Sequence, residues 1–355
     1  MKVRKLYNNL TPLCFLPNGK LVCYQYGNLI LLEEGKITFK RLIFNDLKER
    51  ILGRSQLLFR LLRLGVRTAI ALNNDIILMS KGNFLYEYSL NEEVFIGEHE
   101  LKNNRPLSFT QISGLKGFKT GIYYGGYVTD NKSNSEICIY RRVDNSEWQT
   151  VFTFPKGSIE HVHALIPDSY QNCVWVLTGD FGEGAAIWKA TNNFQKVEKA
   201  VSNSQKYRGC VAFPTKDGLI YATDAPFAKN AICLLKPNLR MTQLKEIAGS
   251  CIYGCMWGDQ YVFSSTVEGD GRNETLFKLL FDYRLGAGIL DKYVHLYVGN
   301  LDDGFHELYK ERKDVLPFIF QFGAIRFPAG KNDSRFLYFQ PVATTNDLSL
   351  FHLEY

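Results

Sequence analysis

A repeat with a period of 44 residues is the feature that most constrains the fold of this chain. Three segments, VWVLTGD, LIYATD and YVFSSTVE, end at Asp180, Asp224 and Glu268, which are spaced by 44 residues. Each segment follows an apolar run and a turn, and a further apolar run comes after it. Short strands joined by turns at this period are typical of the blades of a β-propeller.

The strand pattern continues on both sides of these repeats. Residues 13–42 contain four short apolar runs separated by the turn residues NG, GN and EG, and similar sets occupy residues 67–90, 117–154 and 323–355. We therefore predict an all-β fold, a single β-propeller domain over residues 1–355, with seven blades favoured and six or eight left open. The strand VRKLY, residues 3–7, is predicted to pair into the last blade and close the ring.

Two segments interrupt the pattern. The first is a short helical insertion near residues 45–65, in which five apolar residues can share one helix face: Leu47, Ile51, Leu58, Leu61 and Leu62. One interpretation is a helix that binds a membrane surface or a partner protein. The other is an insertion that packs on the propeller, with its basic residues in solvent. The second interpretation is favoured because Gly53 and Gly65 punctuate the segment. The other interruption, residues 283–304, is predicted to be an insertion in the sixth blade, after a third strand at 275–283.

Charge and cysteine usage narrow the functional class. The net charge of +6 is spread along the chain and does not indicate nucleic-acid binding. No apolar run is long enough for a membrane span or a signal peptide. The eight cysteines include no CxxC pair and lie mostly in apolar runs, as expected for buried, reduced thiols. These observations predict a cytoplasmic protein.

The three repeated acids are the first candidates for chemistry. Equivalent positions of a propeller converge around one axis, so Asp180, Asp224 and Glu268 can line one pocket and are the tentative catalytic residues. Two carboxyl groups at a suitable separation are what glycoside hydrolysis requires, and clustered acids raise one pKa. The alternative is that each acid caps the loop after its strand.

Basic and aromatic residues complete the candidate site. His161 and His163 point to one face of a strand, and with Asp180 they are possible zinc ligands; the alternative is hydrogen bonding within the channel, and we expect neither metal nor cofactor. Arg208, Tyr207 and Arg67 precede predicted strands, where an arginine suits a carboxylate or phosphate of a ligand. Tyr124, and similarly Tyr127, Tyr253 and Trp257, can stack on a sugar, although most aromatics in such chains are core.

Several of these stretches resemble a known group of propellers. The run IYRRVDNSEWQTVFTFPKGSIEHVHALIPDSYQNCVWVLTGD, with SQKYRGCVAF and GLIYATDAP, is similar to sialidase-like, BNR-repeat propellers, most clearly over residues 120–270. RVDNSEW resembles their Asp-box, with Asp144 as the acid and Trp148 as the aromatic, and Asn192 marks a weaker copy. The resemblance implies a carbohydrate context, as for members found in bacterial polysaccharide gene clusters.

The chain also departs from that group. A sialidase is expected to carry an early Arg-Ile-Pro and three arginines around a substrate carboxylate, but the nearest match is IRFP at 325–328. Gly126 stands where relatives tend to have an acid. We therefore predict non-catalytic binding of a glycan or a glycan-assembly protein in capsule or exopolysaccharide biosynthesis. A glycoside hydrolase or polysaccharide lyase that uses the carboxylates is the alternative.

Overall fold

The computed structural model describes residues 2–101, 104–128, 135–180, 182–270 and 280–354. Its strands form seven antiparallel sheets, which are the seven blades of a single β-propeller. The predicted all-β class and blade number are therefore confirmed.

Each blade consists of strands that follow one another in the chain. Blade 1 holds β2 (Thr11–Phe15), β3 (Leu21–Gln25), β4 (Asn28–Glu33) and β5 (Lys36–Leu42). Blade 2 holds β6 (Thr68–Ala71), β7 (Ile76–Lys81), β8 (Phe84–Ser89) and β9 (Val94–Glu100). Blade 3 holds β10 (Arg105–Pro106), β11 (Thr110–Ile112), β12 (Gly121–Tyr127), β13 (Ile137–Arg142) and β14 (Trp148–Phe154).

The remaining blades have the same order. Blade 4 holds β15 (His161–Asp168), β16 (Cys173–Gly179), β17 (Ala186–Thr191) and β18 (Lys196–Val201). Blade 5 holds β19 (Gly209–Thr215), β20 (Gly218–Thr223), β21 (Asn230–Leu235) and β22 (Met241–Ile247). Blade 6 holds β23 (Cys251–Trp257), β24 (Gln260–Ser265), β25 (Tyr293–Asn300) and β26 (Gly304–Arg312). Blade 7 holds β27 (Ala324–Arg326), β28 (Phe336–Val342), β29 (Leu350–Glu354) and the N-terminal β1 (Lys2–Tyr7).

The ring closes through the two ends of the chain. Strand β1 pairs antiparallel with β29, as the sequence predicts. A second link joins blade 7 to blade 1, where the Phe15 amide donates to the Ala329 carbonyl at 2.9 Å and the Ala329 amide donates to the Leu13 carbonyl at 2.8 Å. Closing the ring pairs an edge strand that would otherwise be exposed to association with other chains.

The hydrophobic core lies between neighbouring blades. Strand β16 is buried along its whole length. Val176 packs with residues of blade 3, whereas Trp175 and Leu177 on the other face pack with residues of blade 5. A sheet covered on both faces needs apolar residues at successive positions, which explains the uninterrupted run CVWVL. The first strands of blades 4, 5 and 6 contact one another, so they lie next to the propeller axis.

The helical insertion is present but is oriented contrary to our prediction. It forms α1 (Leu47–Leu52), capped by Asp46, and α2 (Gln56–Leu61), capped by Ser55. The buried residues of these helices are charged: Glu49 pairs with Lys81 at 2.9 Å, and Arg60 pairs with Asp314 at 2.7 Å and with Asp347 at 3.3 Å. Four of the five residues predicted to pack inward are exposed instead, namely Leu47, Ile51, Leu61 and Leu62.

Blades 3 and 6 depart from the simple four-strand order, and the third strand of blade 6 also differs from the prediction. In blade 3 the segment GIYYGGY is the second strand, because the first strand is split into the short β10 and β11. In blade 6 the third strand is β25, within the predicted insertion, and most of the predicted strand at 275–283 lies outside the described residues. All eight cysteines are free; six are buried and two are half-buried. No helix in the described part of the chain is long and apolar enough to cross a membrane.

Candidate functional site

The candidate site lies at the end of the propeller where first strands begin and second strands end. We call this end the mouth. Asp180 directly follows β16 and Asp224 directly follows β20, so the two acids occupy equivalent positions in blades 4 and 5. Arg208 directly precedes β19, and its carbonyl accepts the Asp224 amide at 3.0 Å. The equivalent residue in blade 4 is Glu160, whose Oε2 accepts the Asp180 amide at 2.7 Å.

Arg208 joins the two equivalent acids. Its terminal nitrogen Nη2 lies 3.0 Å from Asp180 Oδ1 and 3.0 Å from Asp224 Oδ2, and its Nε donates to the same Asp224 oxygen at 3.1 Å. Arg208 and Asp224 are buried. Although burial disfavours the cation, the charges of Asp224 and Asp180 raise the pKa of Arg208. The two carboxylate oxygens are no more than about 6 Å apart, a separation compatible with paired-carboxylate chemistry.

The two histidines belong to the same cluster. The Nε2 atoms of His161 and His163 are 2.9 Å apart, and each lies 3.4 Å from Asp180 Oδ1. His163 Nδ1 lies 3.0 Å from the Gly209 carbonyl and donates to it, because a carbonyl can only accept. Burial acts to raise the pKa of Asp180, but the contacts of its Oδ1 with both histidines and the charge of Arg208 outweigh burial and hold this pKa far below its usual range.

Glu268 approaches the cluster from a position that the repeat does not predict. The residue of blade 6 equivalent to Asp224 is Thr266, whose amide donates to the Ser250 carbonyl at 2.7 Å. Glu268 lies two residues further on and accepts a hydrogen bond from the Thr266 hydroxyl. Burial and the charge of Asp224 raise the pKa of Glu268 to about 7. The three acids therefore meet at the mouth, but Glu268 does not occupy the equivalent position.

Tyr127 is the aromatic residue of the site, and Tyr124 is not. The Tyr127 ring lies 4.2 Å from the His161 ring, between centroids. Burial and the charges of Asp180, Cys210 and Asp224 raise the pKa of Tyr127 to about 12, while Arg63 opposes this. Tyr124 is buried in the core, stacked on Tyr140. The structure therefore places Tyr124 in the core and does not bring it together with the acids.

Tyr207 and Gly126 are both closely packed against neighbouring residues. Tyr207 packs against the core between blades 4 and 5, and its neighbour Arg208 alone joins the acids. The ligand role of Tyr207 stays a prediction. A Cβ on Gly126 would lie 2.1 Å from the Asn104 Oδ1 atom, so the missing acid of this position has no room in the present packing.

Arg67 lies at the mouth in a group of arginines that the sequence does not reveal. It directly precedes β6, and Arg105 begins β10, so both stand at the mouth end of their blades. Burial and the charges of Arg105 and Arg63 lower the pKa of Arg67. Among the described residues, none of these three side chains has an ion-pair partner. We call Arg63, Arg67 and Arg105 the arginine group.

The buried donors of the acid cluster include two sets suited to a metal ion. One set is His161, His163 and Asp180; the other is His163, Cys210 and Asp224, and within each set the ligand atoms lie within 4.8 Å of one another. Asp224 Oδ1 is buried without a hydrogen-bond partner in the described part of the protein.

Comparisons with known proteins identify the fold and no more. No protein-family model and no curated protein matches the chain. Among solved structures, the β-propeller domain of Cps50 (Swd1) from Myceliophteria thermophila aligns over 100% of both chains with a TM-score of 0.58 and 7% identity. The extracellular domain of the putative hybrid two component system BT4673 from B. thetaiotaomicron aligns over 100% of this chain and 40% of that chain, with a TM-score of 0.57 and 9% identity. A chain of the Mitotic Checkpoint Complex aligns over 100% and 91%, respectively, with a TM-score of 0.54 and 9% identity.

Proposed function

We propose that this protein binds an acidic glycan at the mouth of the propeller and that the binding is not catalytic. The observation that carries this proposal is the arginine group. The charges of Arg105 and Arg63 repel the guanidinium of Arg67, and none of the three side chains has an ion-pair partner among the described residues. A carboxylate or phosphate of a ligand would relieve that repulsion and accept paired hydrogen bonds.

The other side of the mouth supplies groups that suit the neutral part of a sugar. The carboxylates of Asp180 and Asp224 accept hydrogen bonds from hydroxyl groups, and Tyr127 offers a half-buried ring for stacking. The charges of Asp180, Asp224 and Arg63 all affect the pKa of Tyr127, so this ring lies near both the acids and Arg63. One ligand of the size of a few sugars can therefore contact both sides.

The biological setting of this proposal rests on the sequence resemblance. The similarity to propellers of bacterial polysaccharide gene clusters supports a role in capsule or exopolysaccharide assembly, with a glycan or a glycan-assembly protein as the partner. A cytoplasmic location and an absence of nucleic-acid binding belong to the same proposal.

A glycan array that contains matched acidic and neutral oligosaccharides tests the proposal. We expect acidic members to bind, and Arg67→Ala and Arg105→Ala each to weaken binding by about tenfold or more, because each removes a charged hydrogen bond. The double variant Lys236→Gln, Arg240→Gln is a matched control, since both residues are exposed in blade 5, away from the mouth. Equal binding of acidic and neutral members, or equal losses in the control, would contradict the proposal.

Hydrolysis or elimination of a glycan is the second candidate, and Glu268 favours it. A carboxyl group with a pKa of about 7 can serve as a general acid, while the nearby Asp180 remains ionised. A panel of chromogenic glycosides and uronic-acid polymers, tested with wild type, Asp224→Asn and Glu268→Gln, distinguishes the two functions. Turnover that either substitution abolishes supports the enzyme, and glycan binding without turnover supports the binding protein.

A further inference from the structure

We propose that His161, His163 and Asp180 bind a divalent transition-metal ion, with Zn²⁺ the best match. The three ligand atoms form a triangle with sides of 2.9, 3.4 and 3.4 Å. Zinc bonds of about 2.0–2.1 Å in tetrahedral geometry place neighbouring ligand atoms roughly 3.3 Å apart. The triangle therefore has the dimensions of one face of such a site.

The orientation of His163 supports the same assignment. Its Nδ1 donates to the Gly209 carbonyl, so in the neutral ring the lone pair belongs to Nε2, which faces His161 and Asp180. A hydrogen bond from the far nitrogen to a backbone carbonyl is the usual way in which proteins fix a metal-binding imidazole. A Cβ on Gly179 would lie 2.3 Å from the His163 ring, so the chain leaves room for the ring in this orientation.

A second set of potential ligand atoms shares His163 with this triangle. Cys210 Sγ and an Asp224 oxygen lie close to His163, and Asp224 Oδ1 is a buried oxygen without a hydrogen-bond partner among the described residues. Arg208 binds the other carboxylate oxygen of Asp224, Oδ2. It also contacts Asp180 Oδ1, the atom that we propose as a metal ligand. Two imidazoles and a carboxylate select a zinc-like ion over Ca²⁺ or Mg²⁺, which prefer oxygen ligands alone.

Cobalt titration of the chelator-treated full chain, without any glycan, tests this site. We expect one saturable equivalent of Co²⁺, displaced by Zn²⁺, with a sulfur-to-cobalt charge-transfer band only if Cys210 is a ligand. His161→Gln and Asp180→Asn should each weaken Zn²⁺ binding by more than about tenfold, whereas His306→Gln, an exposed histidine of β26, should not. Unchanged binding in both ligand variants would overturn the proposal.

A measurement on wild type alone covers the case in which the variants do not fold. Bound Zn²⁺, which is diamagnetic, should produce large shifts in the ring signals of two of the six histidines and leave the other four nearly unchanged. No saturable binding at micromolar Co²⁺ or Zn²⁺ would overturn the proposal, and it would leave glycan binding unaffected. Loss of glycan binding with intact metal binding would instead count against the proposed function alone.

An independent observation concerns the helical insertion, from which we infer that it docks on an anionic lipid surface. Five of the seven large aliphatic side chains in the two helices and the residue after them are 37–66% exposed: Leu47, Ile51, Leu57, Leu61 and Leu62. The exposed charges in the same segment are all basic: Lys48, Arg50, Arg54 and Arg63. Its two acids are engaged elsewhere, since Asp46 caps α1 and Glu49 is buried beside Lys81.

Lipid headgroups match this combination of groups. Aliphatic side chains insert at the boundary of headgroups and acyl chains, while basic side chains beside them attract anionic lipids. The buried ion pairs of Glu49 and Arg60 fix both helices on the propeller, so the apolar residues do not need to move to become accessible. Arg63 belongs both to this segment and to the arginine group, which places the lipid surface beside the mouth.

Vesicle sedimentation at low ionic strength tests this inference. We expect binding to vesicles of equal parts phosphatidylserine and phosphatidylcholine, and at least about tenfold weaker binding to phosphatidylcholine alone. Arg50→Gln with Arg54→Gln, and Leu61→Ser with Leu62→Ser, should each reduce binding by about tenfold. The control Val94→Ser with Ile96→Ser removes exposed aliphatics of β9 and should bind normally.

Three results would overturn the lipid assignment. They are an absence of vesicle binding, equal binding to both vesicle types, and equal losses in the β9 control. If the protein does not bind vesicles but forms a dimer, and Leu61→Ser with Leu62→Ser dissociates that dimer, the same surface binds a second copy of the chain.

Discussion

The two sides of the mouth differ in whether their charged side chains have ion-pair partners. On the side of blades 4 and 5, Arg208 lies 3.0 Å from each of two carboxylates, and each group compensates the other. On the side of blades 2 and 3, Arg63, Arg67 and Arg105 have no ion-pair partner among the described residues, and burial together with the charges of Arg105 and Arg63 lowers the pKa of Arg67. In the first arrangement each charge has its counter-ion within the protein. In the second, Arg105 and Arg63 disfavour the charge of Arg67, and under the proposed function the counter-ion is an anionic group of the ligand.

The largest effect that this comparison predicts is for Arg208→Ala. Removal of the guanidinium leaves buried Asp224 without its counter-ion, and breaking a buried pair in this way costs about 3–5 kcal/mol of unfolding free energy. Urea unfolding followed by tryptophan fluorescence measures the loss. Asp224→Asn with Arg208→Gln, which removes both charges, should lose less than Arg208→Ala. If the single variant is as stable as wild type, the ion pairs of this side do not stabilise the fold.

Arg60 of the helical insertion, close in the chain to Arg63, is an arginine that does have ion-pair partners, and it sharpens the comparison. Arg60→Ala removes the anchor of α2 to Asp314 and Asp347, and we expect a loss of about 2–3 kcal/mol at pH 8. Burial already raises the pKa of Asp347 to about 6, and loss of Arg60 raises it further. The orphaned carboxyl is then protonated as the pH falls. The destabilisation should therefore shrink between pH 8 and pH 5, and a constant loss over this range would refute the assignment.

The sequence predicts the ring well because its signal is local. The strand and turn pattern fixes the blades, and the 44-residue period correctly brings Asp180 and Asp224 to one place. The same period misplaces Glu268 by two residues, because Thr266 takes the equivalent position. Tyr124 and Tyr127 are three residues apart on one strand and so face opposite sides, which the alternation rule alone could have separated.

Other features depend on residues that are distant in the chain. The insertion has an ordinary amphipathic pattern, but its orientation is set by Lys81, Asp314 and Asp347, which bury charged residues in place of leucines. Arg63 and Arg105 come from segments that do not share the repeat. Arg63 is close to Arg67 in the chain, but Arg105 belongs to the next blade and approaches them only in the folded propeller, so the sequence alone did not reveal the group.

A smaller effect is predicted for Glu268, as a dependence on pH. Its pKa of about 7 in the folded state exceeds the ordinary value of 4.5, so the folded state binds the additional proton between these values. Stability from this group is therefore fully present below pH 4.5 and is lost as the pH rises through 7. Glu268→Gln removes this dependence and should be more stable than wild type by on the order of 1 kcal/mol at pH 8. Melting temperatures measured at several pH values between 4.5 and 8 test this. If they depend on pH in the same way in the two proteins, the pKa of Glu268 is not raised.

The smallest effect on stability is predicted for Arg67→Ala. Its contrast with the large loss expected for Arg208→Ala tests the difference between the two sides of the mouth most directly. The side chain has no ion-pair partner among the described residues, and Arg105 and Arg63 repel it, so the variant should keep wild-type stability within about 0.5 kcal/mol or gain slightly. Added salt screens that repulsion, so the difference between variant and wild type should shrink as ionic strength rises. Unfolding curves at low and high salt measure this difference. A clear loss of stability in Arg67→Ala would mean that the arginine group, like Arg208, has a structural partner and is not held ready for an anion.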